Sequence, residues 1–405
     1  MGVEQSQSPD LGLAVAGVPK AGQPGIVTGL PPRPLFHVFP GLRDRVRWLP
    51  LADLPTLLER MERLSAEVGA DLWVKRDGLT HPVYGGNKIR KFEFVFADAV
   101  QKGARAVLTG GGLGSHHTLA AAVIARQLGM RPVCSYYCQP ITDEALKNLR
   151  RSPPLGIDAH FCGDYVGLVL SFVVEYGRWL AKTGRPPYFI YPGASGTLGI
   201  LGYVNAALEV QAQIREAREK EPDAIFCAVG SCGTFAGLLL GARLAGLSSK
   251  VVGVRVIEED QADRAKIARL ANRAARFLRQ RDRAVPEVVL EPDDVPLLDG
   301  YMGVGYAHPT EKGMQAMRRV RLAEGLPLET TYTGKAMAAL LDYAEAHPGA
   351  RLLFVDTFVE APALPEGDFR NLPRPFWPAF DRSMQARCWC LRAKRDPGFC
   401  WKRTR

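Results

Sequence analysis

The sequence predicts an α/β fold made of two open, mostly parallel twisted sheets covered by helices. Apolar stretches of strand length alternate with amphipathic or alanine-rich stretches of helix length over most of the 405 residues, which is typical of βα units. The clearest βαβ unit has a strand at 224–229, a helix at 235–245 and a strand at 251–257. Repeats of this unit with apolar strands favour a parallel sheet between helices. Loops with side chains of catalytic type occur in both halves of the chain, so we expect two such sheets.

The other elements follow from the same periodicities. Apolar residues recur every 3.6 positions or so over 54–68, which predicts a helix, and 72–74 predicts a short strand. The remaining predictions, in chain order, are helix 88–101, strand 106–109, helix 118–128, strand 132–137, helices 142–151 and 165–182, strand 188–191, helix 202–220, helices 260–281, 311–324 and 334–346, and strand 352–355.

Composition and element order divide the chain into four regions. Residues 1–34 contain six Gly and six Pro with little periodicity, so we expect a flexible leader. We expect 35–88 and 201–360 to form a large domain, and 89–200 to form a small α/β domain. Residues 361–405 hold ten Lys and Arg against four Asp and Glu and have no clear period, so we expect an irregular basic tail.

The net charge of +10 does not indicate a polyanionic partner. The tail accounts for +6 of it and leaves only +4 for 1–360, so we expect no nucleic-acid partner. The sequence contains no run of 18 apolar residues, so it predicts no membrane helix. The apolar patch at 11–18 follows acidic rather than basic residues, unlike a signal peptide. Eight cysteines without paired CxxC motifs favour a reducing cytoplasm and no metal site.

Lys88 is the first candidate for chemistry. It follows two glycines at the start of a predicted helix, in the run GGNKIRK at 85–91. The positive end of a helix dipole disfavours an ammonium group and favours the neutral amine that a Schiff-base lysine needs to attack an aldehyde. An ordinary exposed lysine among basic neighbours is the alternative.

The run GGGLGSHHT at 110–118 lies between a predicted strand and helix. Its glycines let the backbone approach a ligand, and a helix N-terminus receives an anion. The candidate ligand contacts are Ser115, His116, His117 and Thr118. A capped helix start is the alternative, and zinc is disfavoured because adjacent histidines rarely share a metal and no third ligand is evident.

The run VGSCGTFAG at 229–237 also joins a strand to a helix. Small residues there present backbone amides to an anion such as phosphate. The residues of this loop are Gly230, Ser231, Cys232, Gly233 and Thr234. Cys232 breaks the dinucleotide pattern GxGxxG, but Glu258 and Glu259 end the next strand at the spacing of a ribose-binding acid, which leaves NAD open as an alternative cofactor.

Tyr306 and Tyr332 precede predicted helices in glycine-rich surroundings. A positioned tyrosine can act as acid or base, although packing is its commoner role. A lysine, two ligand-binding loops and two tyrosines in one α/β body together suit pyridoxal phosphate, which needs a Schiff-base lysine, a phosphate site and a proton-handling group.

The same motifs carry a family resemblance. GGNKIRKFEF, GSHHT, GSCGTFAGL, Tyr306 with Pro309, and YTGKA occur in order between about residue 40 and residue 357. The chain resembles the 1-aminocyclopropane-1-carboxylate deaminase / D-cysteine desulfhydrase family. That resemblance implies a tryptophan-synthase-β-like fold (fold type II), pyridoxal 5'-phosphate as cofactor in the large domain, a small amino-acid substrate and a homodimer.

The resemblance also implies roles for individual residues. Lys88 would carry the cofactor and exchange protons at the substrate carbon, and Asn87 would support the ring oxygen. The loop at 230–234 would hold the phosphate, and Thr357 would hydrogen-bond the pyridine nitrogen. The substrate and the face of the cofactor would meet Ser115, His116, His117, Thr118, Tyr306 and Tyr332.

The chain departs from the family pattern at three places. His116 stands where the family usually has Asn, Thr333 stands where deaminases typically have Glu, and Phe358-Val359 replace a Gly-Gly pair. Thr333 favours D-cysteine-like α,β-elimination, giving pyruvate, ammonia and sulfide, over deamination of 1-aminocyclopropane-1-carboxylate to 2-oxobutanoate. His116 and the missing glycines leave a third alternative, a relative that binds the cofactor without turnover.

Overall fold

The computed structural model describes residues 33–358 and 364–381. Its helices are α1 Pro34–Val38, α2 Glu62–Val68, α3 Asn87–Gln101, α4 His116–Gln127, α5 Asp143–Arg151, α6 Tyr165–Thr183, α7 Thr197–Ala217, α8 Gly233–Ala245, α9 Arg264–Arg281, α10 Glu311–Glu324 and α11 Thr333–Ala346. Its strands are β1 Leu58–Arg60, β2 Asp71–Arg76, β3 Ala106–Gly112, β4 Arg131–Tyr137, β5 Asp158–Gly163, β6 Tyr188–Phe189, β7 Ala224–Val229, β8 Lys250–Arg255, β9 Leu297–Leu298 and β10 Arg351–Asp356.

The described residues form two units. The large unit comprises 33–98 and 193–358, and the small unit comprises 99–192 and 364–381. The leader predicted at 1–34 lies outside the described residues except for its last two, and so do 361–363 and 382–405 of the predicted tail.

A six-stranded sheet in the order β1-β2-β10-β7-β8-β9 forms the centre of the large unit. Its strands are parallel except for β1, which pairs antiparallel with β2. Neighbouring residues of β10 point to opposite faces, so Leu353 and Val355 join one apolar core while Leu352 and Phe354 join another. Both faces are therefore buried, as expected for a parallel sheet between helices.

The small unit contains a four-stranded, fully parallel sheet in the order β5-β4-β3-β6. Helix α4 follows β3 and is buried along most of its length. Together the two sheets confirm the predicted fold class, an α/β protein with two mostly parallel sheets covered by helices.

Residues 364–381 belong to the small unit and form two short 3-10 helices, Phe369–Asn371 and Arg374–Phe380. Phe376 is buried, and its ring meets those of Tyr136 and Phe161 edge-on at 5.6 Å. The sequence analysis assigned no element to this segment. Its aromatic residues supply the apolar area that holds it against the sheet.

One predicted element was wrong, and α1, β5 and β9 were not predicted. Residues 54–68 do not form one helix, because Leu58–Arg60 pairs with β2 and the helix begins only at Glu62. Strand β5 was missed, since polar side chains interrupt its apolar pattern.

Candidate active site

Lys88 lies in the first turn of α3, directly after a turn that requires glycine. Gly86 has a φ of +86°, in the left-handed region that is unfavourable for a residue with a Cβ atom. A Cβ atom on Gly85 would lie 2.0 Å from the carbonyl oxygen of Gly78. The two glycines thus let the chain pass close to Gly78 and begin α3 at Asn87.

The amine of Lys88 belongs to a short chain of hydrogen bonds. Lys88 Nζ donates to Asn87 Oδ1 at 2.6 Å, and Asn87 Nδ2 donates to Thr234 Oγ1 at 3.0 Å. Burial lowers the pKa of Lys88 to about 8, although the carboxylate of Glu329 opposes this shift. A substantial fraction of the amine is therefore neutral near pH 8, and the neutral amine is the form that attacks an aldehyde.

The loop at 230–234 connects β7 to α8. Cys232 precedes the helix with a φ of +69°, and its side chain caps none of the helix amides. The amide of Gly233 donates to Ser195 Oγ at 3.2 Å, and a Cβ atom on Gly230 would lie 2.8 Å from the ring of Tyr332. Neighbouring side chains thus require small residues here, and the positive end of α8 gives the loop its preference for an anion.

Ser195 is a residue to which the sequence analysis assigned no role. Its hydroxyl donates to Ser231 Oγ at 2.8 Å, and Gly193 comes so close that a Cβ atom on it would lie 2.0 Å from the same oxygen. Buried Lys91 donates from Nζ to the carbonyl oxygen of Gly193 at 3.1 Å. The turn at 193–195 therefore links α3 to the 230–234 loop, and its Gly/Ser-rich composition was the available signal.

Tyr306 and Tyr332, which the sequence analysis expected to meet the substrate, contact each other in the structure. Their hydroxyl oxygens are 2.5 Å apart and their ring centroids 6.0 Å. Burial raises the pKa of Tyr306 well above its usual value, and the neighbouring Tyr332 raises it further. Tyr306 therefore stays protonated at neutral pH, which suits it to donate a proton or hydrogen bond rather than to act as a base.

Glu329 organises the segment that leads to Tyr332 and was missed by the sequence analysis. Its carboxylate accepts hydrogen bonds from the amides of Thr331, Tyr332 and Thr333 at 2.6 to 2.8 Å. This arrangement gives hydrogen-bond acceptors to amides at the start of α11, where a negative carboxylate also interacts favourably with the positive end of the helix dipole. A glutamate four residues before the first helical residue was the signal in the sequence.

Thr357 follows β10, and its carbonyl oxygen accepts a hydrogen bond from the amide of Asn87 at 3.4 Å. The backbone of Thr357 thus adjoins the start of α3. The preceding Asp356 is buried, and burial raises its pKa to about 8, with the nearby acids Asp77 and Glu329 acting in the same direction. Asp356 is a second ionisable group that the sequence analysis did not single out.

A buried network of charges holds α3 in place two residues beyond Lys88. The guanidinium of Arg90 donates to Asp77 at 2.7 and 2.9 Å, to Glu209 at 2.8 and 2.9 Å and to Thr56 Oγ1 at 2.9 Å. Lys75 Nζ lies 2.6 Å from Glu209 as well. These contacts connect α3 with β2, the turn after it and α7, so they stabilise the orientation of the Lys88 turn.

The predicted substrate contacts at 115–118 lie in the small unit, at the N-terminus of α4. Ser115 Oγ accepts from the amide of Thr118 at 3.4 Å, so it caps the helix. His117 is buried with Nε2 2.8 Å from Thr109 Oγ1, and His116 Nε2 lies 3.4 Å from Asn148 Nδ2. Both the cap and the ligand-binding interpretation fit this geometry, and the substrate role stays a prediction.

The remaining candidates lie together in the large unit. They are Asn87, Lys88, Gly230, Ser231, Cys232, Gly233, Thr234, Tyr306, Tyr332 and Thr357. Glu258, which motivated the NAD alternative, accepts a hydrogen bond at Oε1 from the amide of Tyr306 at 3.3 Å. Within 33–358 and 364–381, no group of three or more His, Cys, Asp and Glu side chains could hold a metal ion. None of the helices in those ranges is long and apolar enough to cross a membrane.

A family model described as pyridoxal-phosphate dependent enzyme matches residues 49–357. The chain belongs to this family. Membership confirms the predictions of an enzyme and of pyridoxal phosphate as its cofactor, and it decides between that cofactor and NAD.

The chain of this pyridoxal-phosphate-dependent enzyme is similar to curated D-cysteine desulfhydrases. It is 34% identical to that of Klebsiella pneumoniae (strain 342) over 299 residues, which cover 73% of this chain and 87% of the relative. It is 32% identical to that of Yersinia pestis (strain Pestoides F) over 312 residues, covering 75% and 91%.

Solved structures support the same family assignment. The enzyme matches a structure described as an ACC deaminase homologue with a TM-score of 0.70 and 31% identity, covering 83% of this chain and 97% of that one. An L-serine ammonia-lyase from Rhizomucor miehei matches with a TM-score of 0.52 at 17% identity, over 77% and 95% of the two chains, and shows the fold alone. The fold is that of the type II pyridoxal-phosphate enzymes.

Proposed function

We propose that this enzyme is a lyase that converts D-cysteine, by α,β-elimination, to pyruvate, ammonia and sulfide. The observation that carries the proposal is the chain of hydrogen bonds from Lys88 through Asn87 to Thr234. It joins a desolvated amine to a loop at a helix N-terminus. A small molecule that carries an aldehyde and a phosphate can therefore bind the amine through its aldehyde and the loop through its phosphate. The similarity to curated D-cysteine desulfhydrases supports the choice of substrate.

The residues of the large unit fit the cofactor. Lys88 would bind its aldehyde, Asn87 would support its ring oxygen, and Gly230, Ser231, Cys232, Gly233 and Thr234 would bind its phosphate. Thr357 would face the pyridine nitrogen. When bound, pyridoxal phosphate supplies an electron sink for the negative charge that develops at the substrate Cα.

Proton transfers would fall to residues whose pKa values suit them. The Lys88 amine, with its pKa lowered to about 8, would accept the proton from Cα. Tyr306, held protonated and in contact with the Tyr332 hydroxyl, would hydrogen-bond the sulfur as it leaves Cβ. The released aminoacrylate then takes up water and yields pyruvate and ammonia, which completes the balance.

Substrate selection would involve Ser115, His116, His117 and Thr118. The N-terminus of α4 presents backbone amides that suit a carboxylate. His116 in place of the usual Asn changes a neutral amide to a ring that can ionise, so we propose that this position tunes the preference among small amino acids.

A second candidate activity is deamination of 1-aminocyclopropane-1-carboxylate to 2-oxobutanoate and ammonia. It is favoured by the similarity to an ACC deaminase homologue. Thr333, in place of the glutamate expected of a deaminase, favours elimination instead. Its hydroxyl is also engaged, because it accepts a hydrogen bond from the amide of Glu329 at 2.9 Å.

We also propose that the enzyme works in the cytoplasm as a homodimer. The five cysteines of the described residues, at 134, 138, 162, 227 and 232, are free, which suits a reducing compartment. The family resemblance of the sequence motifs supports the homodimer.

The proposal is tested by incubating the purified holoenzyme with D-cysteine, L-cysteine, D-serine and 1-aminocyclopropane-1-carboxylate in parallel. Sulfide, pyruvate and 2-oxobutanoate are measured separately. We expect sulfide and pyruvate in equal amounts from D-cysteine, and their loss in Lys88→Ala. Production of 2-oxobutanoate without sulfide would assign the second activity. A holoenzyme with bound cofactor that turns over none of these substrates would contradict both proposed activities.

A further inference from the structure

The imidazole of His116 has a buried asparagine of α5 as a neighbour. Asn148 Nδ2 lies 3.4 Å from His116 Nε2 and donates to the carbonyl oxygen of Gly114 at 3.0 Å. This close approach of α5 requires glycine at 114, because a Cβ atom there would lie 2.6 Å from the Cβ atom of Ala145. Asn148 is three residues after Ala145 and therefore lies on the same face of α5. One amide thus contacts both the loop before α4 and the ring of His116.

Two partners fix the orientation of the Asn148 amide. The carbonyl oxygen of Gly114 can only accept a hydrogen bond, so the amide group that faces it must be the NH2 group. Arg151 Nη1 lies 3.1 Å from Asn148 Oδ1, and a guanidinium can only donate, so the atom that faces it must be the oxygen. Both Asn148 and Arg151 are buried. The group that Asn148 presents to His116 is therefore an N–H donor.

An imidazole nitrogen that faces an N–H donor must carry a lone pair. His116 Nε2 is therefore unprotonated, and the proton of the neutral ring lies on Nδ1. A second proton would bring an N–H group of His116 against one of Asn148, and the amide cannot turn round without losing Gly114 and Arg151. The positive end of α4 also opposes a further positive charge on this ring. On the α5 side, Arg151 pairs with Glu144 at 3.6 Å. Although an imidazole can ionise, these contacts favour the neutral form.

We propose that Asn148 is a positioning residue that holds His116 in the neutral Nδ1–H tautomer, in which the ring offers the substrate carboxylate a hydrogen-bond donor. This inference rests on the proposed function, in which residue 116 meets the substrate. It also accounts for histidine where the family usually has asparagine. An asparagine can turn its carbonyl oxygen to Asn148 and its NH2 group to the substrate, and the Nδ1–H tautomer presents an acceptor and a donor in the same order.

The neighbouring His117 has the reverse arrangement at Nε2. The Thr109 hydroxyl donates its single proton to the carbonyl oxygen of Ile190 at 2.8 Å. Thr109 Oγ1 can therefore only accept from His117 Nε2, which lies 2.8 Å away, so this nitrogen carries a proton. Two adjacent histidines of one loop thus differ in the protonation of Nε2. This difference gives an internal reference for the experiment.

The direct test is nitrogen-15 NMR of the full-length holoenzyme, labelled at its seven histidines. The signals of His116 are those that His116→Ala removes. At neutral pH we expect Nε2 to be unprotonated in His116 and protonated in His117. Asn148→Asp replaces the NH2 group by an oxygen, so Nε2 of His116 should take up a proton while His117 does not change. A protonated Nε2 on His116 in wild type, or one that stays unprotonated in Asn148→Asp, would overturn the proposal.

Kinetics separate this role from simple support of the loop through Gly114. Asn148→Ala should raise KM for D-cysteine about tenfold and change kcat less, since a hydrogen bond to a charged group is lost. In a His116→Ala background the same substitution should change KM less than about twofold, because residues that act through one contact are not additive. An equal rise in both backgrounds would show that Asn148 acts through Gly114 and would overturn the positioning role.

Asn371→Ala is the matched control. Asn371 is an exposed asparagine of the small unit, and its replacement should leave both KM and the His116 signals as in wild type. The NMR result does not depend on the substrate. A holoenzyme that shows the expected protonation of both rings but does not act on D-cysteine would therefore overturn the proposed function and support the role of Asn148 in fixing the tautomer.

Discussion

Replacement of Arg90 by methionine should destabilise the large unit strongly, because Arg90 neutralises two buried carboxylates. Its side chain is 0% exposed, and it forms forked hydrogen bonds with both Asp77 and Glu209. Methionine fills a similar volume but leaves Asp77 with neutral hydrogen-bond partners, Thr56 Oγ1 at 2.9 Å and the Tyr203 hydroxyl at 2.7 Å. Glu209 keeps Lys75.

The magnitude follows from two independent arguments. Removing one partner of a buried ion pair costs about 3–5 kcal/mol. Burial alone would raise the pKa of Glu209, yet Arg90 and Lys75 together lower it from 4.5 to about 2, which corresponds to about 3 kcal/mol shared between the two cations. For a unit of this size we expect the melting temperature to fall by roughly 6–20 °C.

The assay is thermal unfolding at several pH values, with Arg319→Met as the matched control. Arg319 pairs with Glu67 and Glu345 at the surface, where such pairs contribute about 0–1 kcal/mol. Because the folded pKa of Glu209 is depressed, its contribution is present above pH 4.5 and is lost as the pH falls towards 2. The deficit of Arg90→Met should therefore shrink on acidification. A deficit equal to that of Arg319→Met, or one that does not change with pH, would refute the reasoning.

Three further predictions concern the site. The pKa of Asp356 is raised from 3.8 to about 8, so this residue destabilises the fold increasingly as the pH rises between those values. Asp356→Asn should therefore be more stable than wild type at pH 8 in thermal melts, and equal stability would count against this reasoning. The apoenzyme should capture pyridoxal phosphate faster as the pH rises through about 8, the pKa of Lys88; a flat stopped-flow profile would exclude this amine as the nucleophile. Tyr306→Phe removes the 2.5 Å contact with Tyr332 and should lower kcat on D-cysteine by about a hundredfold or more while the cofactor stays bound, so unchanged turnover would remove the tyrosine pair from the chemistry.

The helices and strands that were predicted correctly are those whose own residues show a regular apolar spacing. The βαβ unit from β7 to β8 was found because its strands are apolar and its helix follows a turn of small residues. The helix predicted at 54–68 was wrong, because pairing of Leu58–Arg60 with β2 outweighed a helix-like spacing of apolar residues. Strand β5 depends on its neighbour β4 rather than on a pattern of its own.

The site divides in the same way. Lys88 and the 230–234 loop were proposed as site residues because glycines beside a helix start are visible in the sequence. Ser195, Glu329 and Asp356 were missed, since their roles arise from partners that are distant in the sequence or from burial. Ser195, for example, contacts Ser231, which lies 36 positions later in the sequence, and no local motif predicts such a contact.

The central claim is that Lys88, and not the neighbouring buried Lys91, carries the cofactor. Both amines lie in the first turns of α3, and burial lowers the pKa of each. Lys91 Nζ donates to the carbonyl oxygen of Gly193, whereas Lys88 reaches the 230–234 loop through Asn87. Borohydride reduction of the holoenzyme, followed by peptide mass spectrometry, locates the lysine directly. We predict a phosphopyridoxyl group on Lys88, and its recovery on Lys91 or on any other residue would contradict the account.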